Sequence, residues 1–386
     1  MKILYVSGVP THPTDAGNRK VTLSTCEELI SLGNDIHFLY IDERGFRSNR
    51  QKEFEEACQK TSLFWKEKYH VYKIGRARKL YFILLKLFRM KFQGGHRGLY
   101  DTYPFYLHKE INRLDKVYHF DACIVNYIWL TKAFRFIHIP KKACYTHDAM
   151  AYRNMKVNER SVWVDAAQEA AALQLCTDIF ALQDEEAAYF HQLAPLSHVY
   201  TIYSKYEYHS QSIVGNKNIL FLSGNNVYNQ NGLRWFVNNV FPLIKNRFPD
   251  VKLLIAGGIC KVIKNEYNSI DGIEMKGYVD NPSDFYSLGD VAINPTFEGT
   301  GLKIKTFESI ANDKVTLVHP HSMAGIYNKK AAPLFVSDQP EDWADFLDLI
   351  WNKSTSEITR IKKQNREYIA AMNEFVVNEY IKFVKY

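Results

Sequence analysis

Residues 298–308 read EGTGLKIKTFE, and the reading of this stretch decides the fold. It follows Asn294 and Pro295 and the run Val291-Ala292-Ile293, which has the size and β-branching of a buried strand. From about Leu302 the pattern predicts a helix through Ala311, and a further apolar run, Val315 to Val318, comes next. A strand, a glycine turn and a helix start form an anion site, because the first helical N–H groups have no internal partners. Thr300 and Gly301 supply small residues where backbone can approach a ligand closely. Lys303 and Lys305 are placed in the first helical turn, where the helix dipole disfavours cations. That placement points to a negatively charged ligand, most simply a phosphate or diphosphate. Glu308 lies one to two turns further in and can accept hydrogen bonds from vicinal hydroxyls such as those of a ribose. Phosphate-binding lysines beside a sugar-binding carboxylate read as a nucleotide-sugar site.

Outward from this stretch, strand-like and helix-like segments alternate twice over, the pattern of two doubly wound α/β units. In the first half, strands are expected at Ile3 to Val6, Ile36 to Ile41, Phe120 to Val125, Lys142 to Thr146 and, last, Asp178 to Leu182. Helices are expected over Lys20 to Leu32, Val164 to Leu175 and Glu185 to Gln192. The second half restarts at Ile219 to Leu222, with a helix from Gly232 to Arg247 and strands at Val251 to Ala256 and Ile273 to Val279. The polar stretch 206–218 reads as the linker, and Glu341 to Trp351 and Ile358 to Phe375 as closing helices. The chain of 386 residues is long enough for two separate cores.

A net charge of +7 gives a mild preference for anionic partners without separating nucleotide, nucleic acid and membrane surface. The six cysteines are scattered with no CxxC pair, which predicts a reducing compartment and no zinc site. No signal peptide is read at the start, and no run approaches the length of a spanning helix, so a cytoplasmic location is expected. The absence of GxGxxG counts against a nicotinamide or flavin enzyme.

Three further places in the first half carry candidate chemistry. The loop Ser7 to Arg19 opens a helix and holds Gly17, Asn18 and Arg19; such loops face the cleft of a doubly wound sheet, so it either meets a ligand or simply turns tightly with a solvated arginine. Tyr145-Thr146-His147-Asp148 follows a strand, so His147 is either a ligand-facing group or a structural histidine bonded to Asp148. As a ligand group it can donate to a sugar hydroxyl when neutral, or stabilise a phosphate when charged. Tyr127 and Trp129 either stack on an acceptor sugar or pack in a core. Glu169 is expected to serve architecture. The stretch 76–97, RARKLYFILLKLFRMKFQGGHR, suits a helix lying on a membrane surface with its lysines turned to anionic headgroups, or a buried helix with a basic edge.

The 298–308 stretch resembles the donor-site signature GTGxKxKxxE of GT-B fold glycosyltransferases of the retaining group 1, or family 4, type. Gly299, Thr300, Gly301, Lys303, Lys305 and Glu308 match it position by position. The commoner version sets two glutamates closer together than Glu298 and Glu308 stand here. The segment from Ser223 is similar to the opening of the family's donor domain, with Asn231, Gly232 and Trp235 matching PNxxGLxWF, although asparagines replace the usual cations of that loop.

The resemblance implies a GT-B architecture of two Rossmann-like domains facing a cleft: 1–205 for the acceptor, 206–365 for the nucleotide sugar, and a helix at 366–386 crossing back to the first domain. It implies donor contacts from Gly224, Asn225, Glu298, Thr300, Gly301, Lys303, Lys305 and Glu308. Catalytic roles fall to His147, Asp148 and Lys303, and an acceptor or phosphate loop to Gly17, Asn18, Arg19, Tyr127 and Trp129. It further implies a UDP-, GDP- or TDP-sugar donor, a glycan or lipid-linked acceptor, no cofactor and no metal, in bacterial surface polysaccharide synthesis. The competing readings are a sugar-nucleotide epimerase or hydrolase of the same fold, and a non-catalytic homologue binding a nucleotide sugar or partner enzyme. Nucleic-acid binding has no motif behind it.

Overall fold

The apolar runs assemble as two separate parallel sheets. In the computed structural model, which describes residues 1–14, 17–42, 51–74, 84, 98–156, 163–267, 269–299, 302–353 and 355–385, the first sheet has the order β3-β2-β1-β4-β5-β6-β7. Its strands are β1 (Lys2–Ser7), β2 (Asp35–Asp42), β3 (Tyr69–Lys73), β4 (Ala122–Asn126), β5 (Lys141–Tyr145), β6 (Asp178–Ala181) and β7 (His198–Thr201). The second sheet runs β10-β9-β8-β11-β12-β13. It is built from β8 (Asn218–Leu222), β9 (Lys252–Ala256), β10 (Ile273–Gly277), β11 (Val291–Asn294), β12 (Val315–Val318) and β13 (Leu334–Val336). Central strands such as β4 and β11 are buried along their whole length, which is why they read as continuous apolar runs rather than alternating ones.

The chain divides into two compact units, Met1–Ser204 with Val376–Tyr386, and Lys205–Phe375. The last helix, Thr355–Lys385, contributes its C-terminal stretch to the first unit. There Glu379 accepts from the Thr201 amide (3.1 Å), Tyr380 donates to Thr25 Oγ1 (3.1 Å), and Phe383 meets Phe180 edge-on.

Several expectations need correction. Asp178–Ala181 is not the last strand of the first half, since β7 follows it. The segment 206–218, read as the linker, follows directly on the boundary between the units and is fastened to the second one. His209 donates its amide to Ala311 O, and Gln211 and Val214 donate theirs to the buried carboxylates of Asp313 and Asp290. The helix expected from Gly232 begins at Val227, capped by Asn226 Oδ1 on the Asn229 amide (2.8 Å), and widens into a π-turn at Phe236–Val240. The helix expected from Leu302 begins at Ile304, with Lys303 at its cap position; of the two lysines, only Lys305 is inside the first turn. No helix among the described residues is long and apolar enough to cross a membrane. The stretch 76–97, apart from Leu84, lies outside the described residues, as do Thr300 and Gly301.

Candidate functional site

Open parallel sheets bind ligands beyond the carboxyl ends of their strands, where neighbouring strands send their connections in opposite directions. In the second sheet that point lies between β8 and β11, because β9 and β10 build outward on one side and β12 and β13 on the other. The loop after β8 (223–226) and the described loop residues after β11 (295–299, 302 and 303) flank it. Gly232 brings the helix after β8 against the second of these loops: a Cβ there would stand 2.9 Å from Pro295 O and Thr296 Cα. Gly299 has φ +95°, and a Cβ would stand 2.8 Å from the Tyr228 ring. Both positions admit only glycine without a backbone shift.

Two lysines converge at this point. Lys305 donates to Asn229 Oδ1 and, at 3.3 Å, to Thr296 Oγ1, with its ammonium 5.3 Å from the centroid of Phe221. Lys303 is only 8 % exposed. Among the described residues neither lysine forms an ion pair with a carboxylate. Burial, with the Lys303 charge adding to it, pushes Lys305 down to about 7, against an opposing pull from Glu308. Burial lowers Lys303 as well. Asn229 is buried and also donates to Gly224 O (3.1 Å), so one side chain joins the glycine step after β8 to the Lys305 ammonium.

The other expected donor residues are arranged differently. Glu298 accepts from Asn231 Nδ2 (2.6 Å), and Asn231 Oδ1 in turn accepts from Arg234, itself paired with Glu266. Asn225 Oδ1 accepts from Gln230 (2.8 Å). Glu308 is half-buried on the helix Ile304–Ala311, where its charge reaches the buried hydroxyls of Tyr206 and Tyr286. Sequence reasoning missed Asn229, Thr296, His321 and Ser322. The last two follow β12: His321 Nε2 lies 2.9 Å from Gly299 O, and Ser322 donates to Thr296 O (2.8 Å). The only signal for them was a polar His-Pro-His-Ser run directly after an apolar strand.

In the first sheet the equivalent point lies between β1 and β4. Tyr127, directly after β4, has φ +76°, and His147, after β5, has φ +63°. Their rings stack at 4.4 Å, and Trp129 stacks on the other partner, Tyr127, at 4.4 Å and 8°. Asn18 donates to the Tyr127 hydroxyl (3.3 Å), tying the start of the helix Gly17–Ser31 to this stack, while Arg19 donates to Pro13 O (3.4 Å).

Asn126 donates its amide hydrogens to Ser7 and Thr22 (both 3.0 Å), so its Oδ1 faces His147 Nε2 as an acceptor. Nε2 must therefore carry the proton, and in the neutral ring Nδ1 is left as a bare acceptor. Burial holds the imidazole down to about 3, so it is neutral near pH 7. This corrects two expectations: His147 is bonded to Asn126 rather than to Asp148, and it offers a lone pair rather than a donor or a charge. Asp148 instead pairs with Arg153 (2.9 Å). Glu169 accepts the amides of Met150 and Ala151 (2.8 and 3.1 Å) and so caps the helix Met150–Lys156 from a neighbouring element.

Two doubly wound parallel sheets, each with small and polar residues gathered at its switch point, define the GT-B fold. Residues 216–352, which lie within the second unit, match the model of the family described as glycosyl transferases group 1. Over 340 residues, 81 % of either protein, the chain is 24 % identical to an uncharacterized 44.6 kDa protein in the cps region of Klebsiella pneumoniae. Among solved structures, S. aureus TarM in complex with fondaparinux, alpha-GlcNAc-glycerol and UDP is similar with a TM-score of 0.61 and 12 % identity, over 98 % of this chain and 99 % of that one. Anabaena HepE in complex with UDP is similar with a TM-score of 0.64 and 12 % identity, over 100 % of both chains.

Proposed function

We propose that the protein is a glycosyltransferase that moves a sugar from a nucleotide diphosphate donor to a hydroxyl of a glycan or lipid-linked glycan, with retention at the anomeric carbon. Surface polysaccharide synthesis in the bacterial cytoplasm is the setting, in keeping with the cps-region relative. The observation that carries this reading is the pair Lys303 and Lys305, desolvated at the switch point of the second sheet with no carboxylate paired to them among the described residues. Such a pair is costly to bury and is repaid when an anion binds.

In this reading the second unit, 206–365 in the sequence division, holds the donor, and residues 1–205 with the helix 366–386 hold the acceptor. Lys303 and Lys305 neutralise charge developing on the leaving diphosphate, a form of electrostatic stabilisation that needs no metal. Glu308 holds the ribose, and Gly224, Asn225, Glu298, Thr300 and Gly301 complete the donor contacts. His147 Nδ1 accepts a hydrogen bond from a sugar hydroxyl, and Asp148, fixed by Arg153, borders the same place. The leaving phosphate takes the proton of the incoming hydroxyl. Gly17, Asn18, Arg19, Tyr127 and Trp129 are assigned to the acceptor side. The UDP in the TarM and HepE complexes favours a uridine donor. Residues 76–97 are assigned to the membrane face that would carry a lipid-linked acceptor.

The test is to incubate the protein with UDP-, GDP- and TDP-sugars and lipid-linked acceptors, then follow the sugar by mass spectrometry. A sugar joined to acceptor with retained configuration is expected. Isomerised or hydrolysed donor with acceptor unchanged would point to the epimerase or hydrolase alternative instead.

A further inference from the structure

The loop between β11 and the helix Ile304–Ala311 must hold one shape for Lys303 and Lys305 to act together, yet it contains Gly299 in a left-handed conformation, which the chain adopts at an entropic cost. Two neighbours hold its described residues 296–299. On one side the Tyr228 ring covers the Gly299 Cα. On the other, the short 3-10 turn Pro320–Met323 after β12 reaches across: His321 Nε2 meets Gly299 O at 2.9 Å, and Ser322 Oγ, fully buried, donates to Thr296 O at 2.8 Å.

A carbonyl oxygen only accepts, so His321 Nε2 carries a hydrogen and the ring is bound as a donor. The backbone amide of His321 in turn donates to His319 Nδ1 (3.1 Å), and the His319 ring stands edge-on to Trp235 and Phe297. The turn is therefore braced against the helix Val227–Trp235 as well as against the loop.

We propose that His321, supported by Ser322, is a positioning residue that latches the glycine loop in its anion-binding shape. The consequence for binding rests on the reading of that loop as the donor site; the latch itself does not. The charged groups around His321 support the assignment: Lys303 disfavours its protonation and Glu298 favours it, with burial the largest influence and Lys303 next. His319 feels Asp338 and His321. A neutral His321 still donates through Nε2, so the latch holds on both sides of its titration, and a bound anion beside Lys303 would favour the charged form without breaking it.

The experiment uses the full chain as His321→Ala and His321→Gln, glutamine being able to donate at similar reach. Hydrogen exchange of the Phe297, Glu298 and Gly299 amides is read in the free protein, and binding of UDP and of inorganic diphosphate by calorimetry. His321→Ala is expected to speed exchange there by about fivefold to tenfold, the loss of one hydrogen bond, and to weaken binding by a similar factor. Exchange in β8 and β9 should not change, and His321→Gln should restore most of both effects. Unchanged loop exchange in His321→Ala, or equal loss in the Gln variant, overturns the latch. If the loop exchange responds as expected while wild type binds neither UDP nor diphosphate, the latch stands and the nucleotide reading fails.

Discussion

At the scale of single residues, Lys305 makes the sharpest statement. Its pKa of about 7 lies well below the ordinary lysine value, burial being the first cause and Lys303 the second. The unfolded chain keeps this lysine charged up to about pH 10. Between those limits the unfolded state binds more protons than the folded one, so the free protein should gain thermal stability as pH rises from about 7. Anion affinity should fall over the same range, because only the charged form attracts phosphate. A bound diphosphate restores the charge, so binding at pH 7.5 should take up protons, seen as a different apparent enthalpy in buffers of different ionisation heat. Identical enthalpies in all buffers would remove the buried-lysine account. That Lys303 and Lys305 stand together at one helix start was legible in the sequence, from two cations spaced just after a glycine turn. Asn229, which grips Lys305, was not, since an asparagine in an asparagine-rich loop carries no distinguishing pattern. His147 was legible by position but not by polarity, which Asn126 sets from another strand.

At the scale of elements, the contact between the helix Val227–Trp235 and the β11 loop depends on Gly232. Gly232→Ala should cost about 1–3 kcal/mol, because its Cβ would meet backbone that has no rotamer to yield. Gly17→Ala has no atom within 4 Å of the new Cβ and should change stability by about 1 kcal/mol or less. Urea unfolding of both variants decides the matter, and equal midpoints would show that the helix and the β11 loop are not in contact. The strands of both sheets were readable wherever both faces are buried, as in β1, β4 and β11. The strands β3, β7 and β13 are short, partly exposed and mixed in composition, so they gave no run to read. The start of the helix Ile304–Ala311 was misplaced because Leu302 and Lys303 are good helix formers, whereas Lys303 has ψ 65°. The π-turn at Phe236–Val240 has no signature in its residues.

At the scale of the whole chain, the polar stretch 206–218, next to the boundary between the two units, is fastened to the second unit by buried charge. Asp313 is 1 % exposed and accepts from the Tyr208 hydroxyl (2.6 Å), the Gln211 amide (3.2 Å) and Lys362 (3.2 Å). Asp290 takes the amides of Val214 and Gly215. The sequence showed only a polar stretch here, and the fold supplies its buried partners. Replacing Asp313 with Ala leaves Lys362 buried without its carboxylate and should cost about 3–5 kcal/mol. Limited proteolysis should then cut first within 205–217; resistance equal to wild type there would contradict the fastening.

The central claim is that the second unit holds a nucleotide diphosphate on Lys303, Lys305 and Glu308. It is tested most directly by titrating UDP, GDP, TDP and ADP into the protein and into Lys303→Ala and Glu308→Ala variants shown to be folded. The account predicts saturable binding of one base, weakened about tenfold or more in each variant, consistent with the loss of a charge-assisted contact. Folded wild type that binds none of the four, or variants that bind as tightly as wild type, would contradict it.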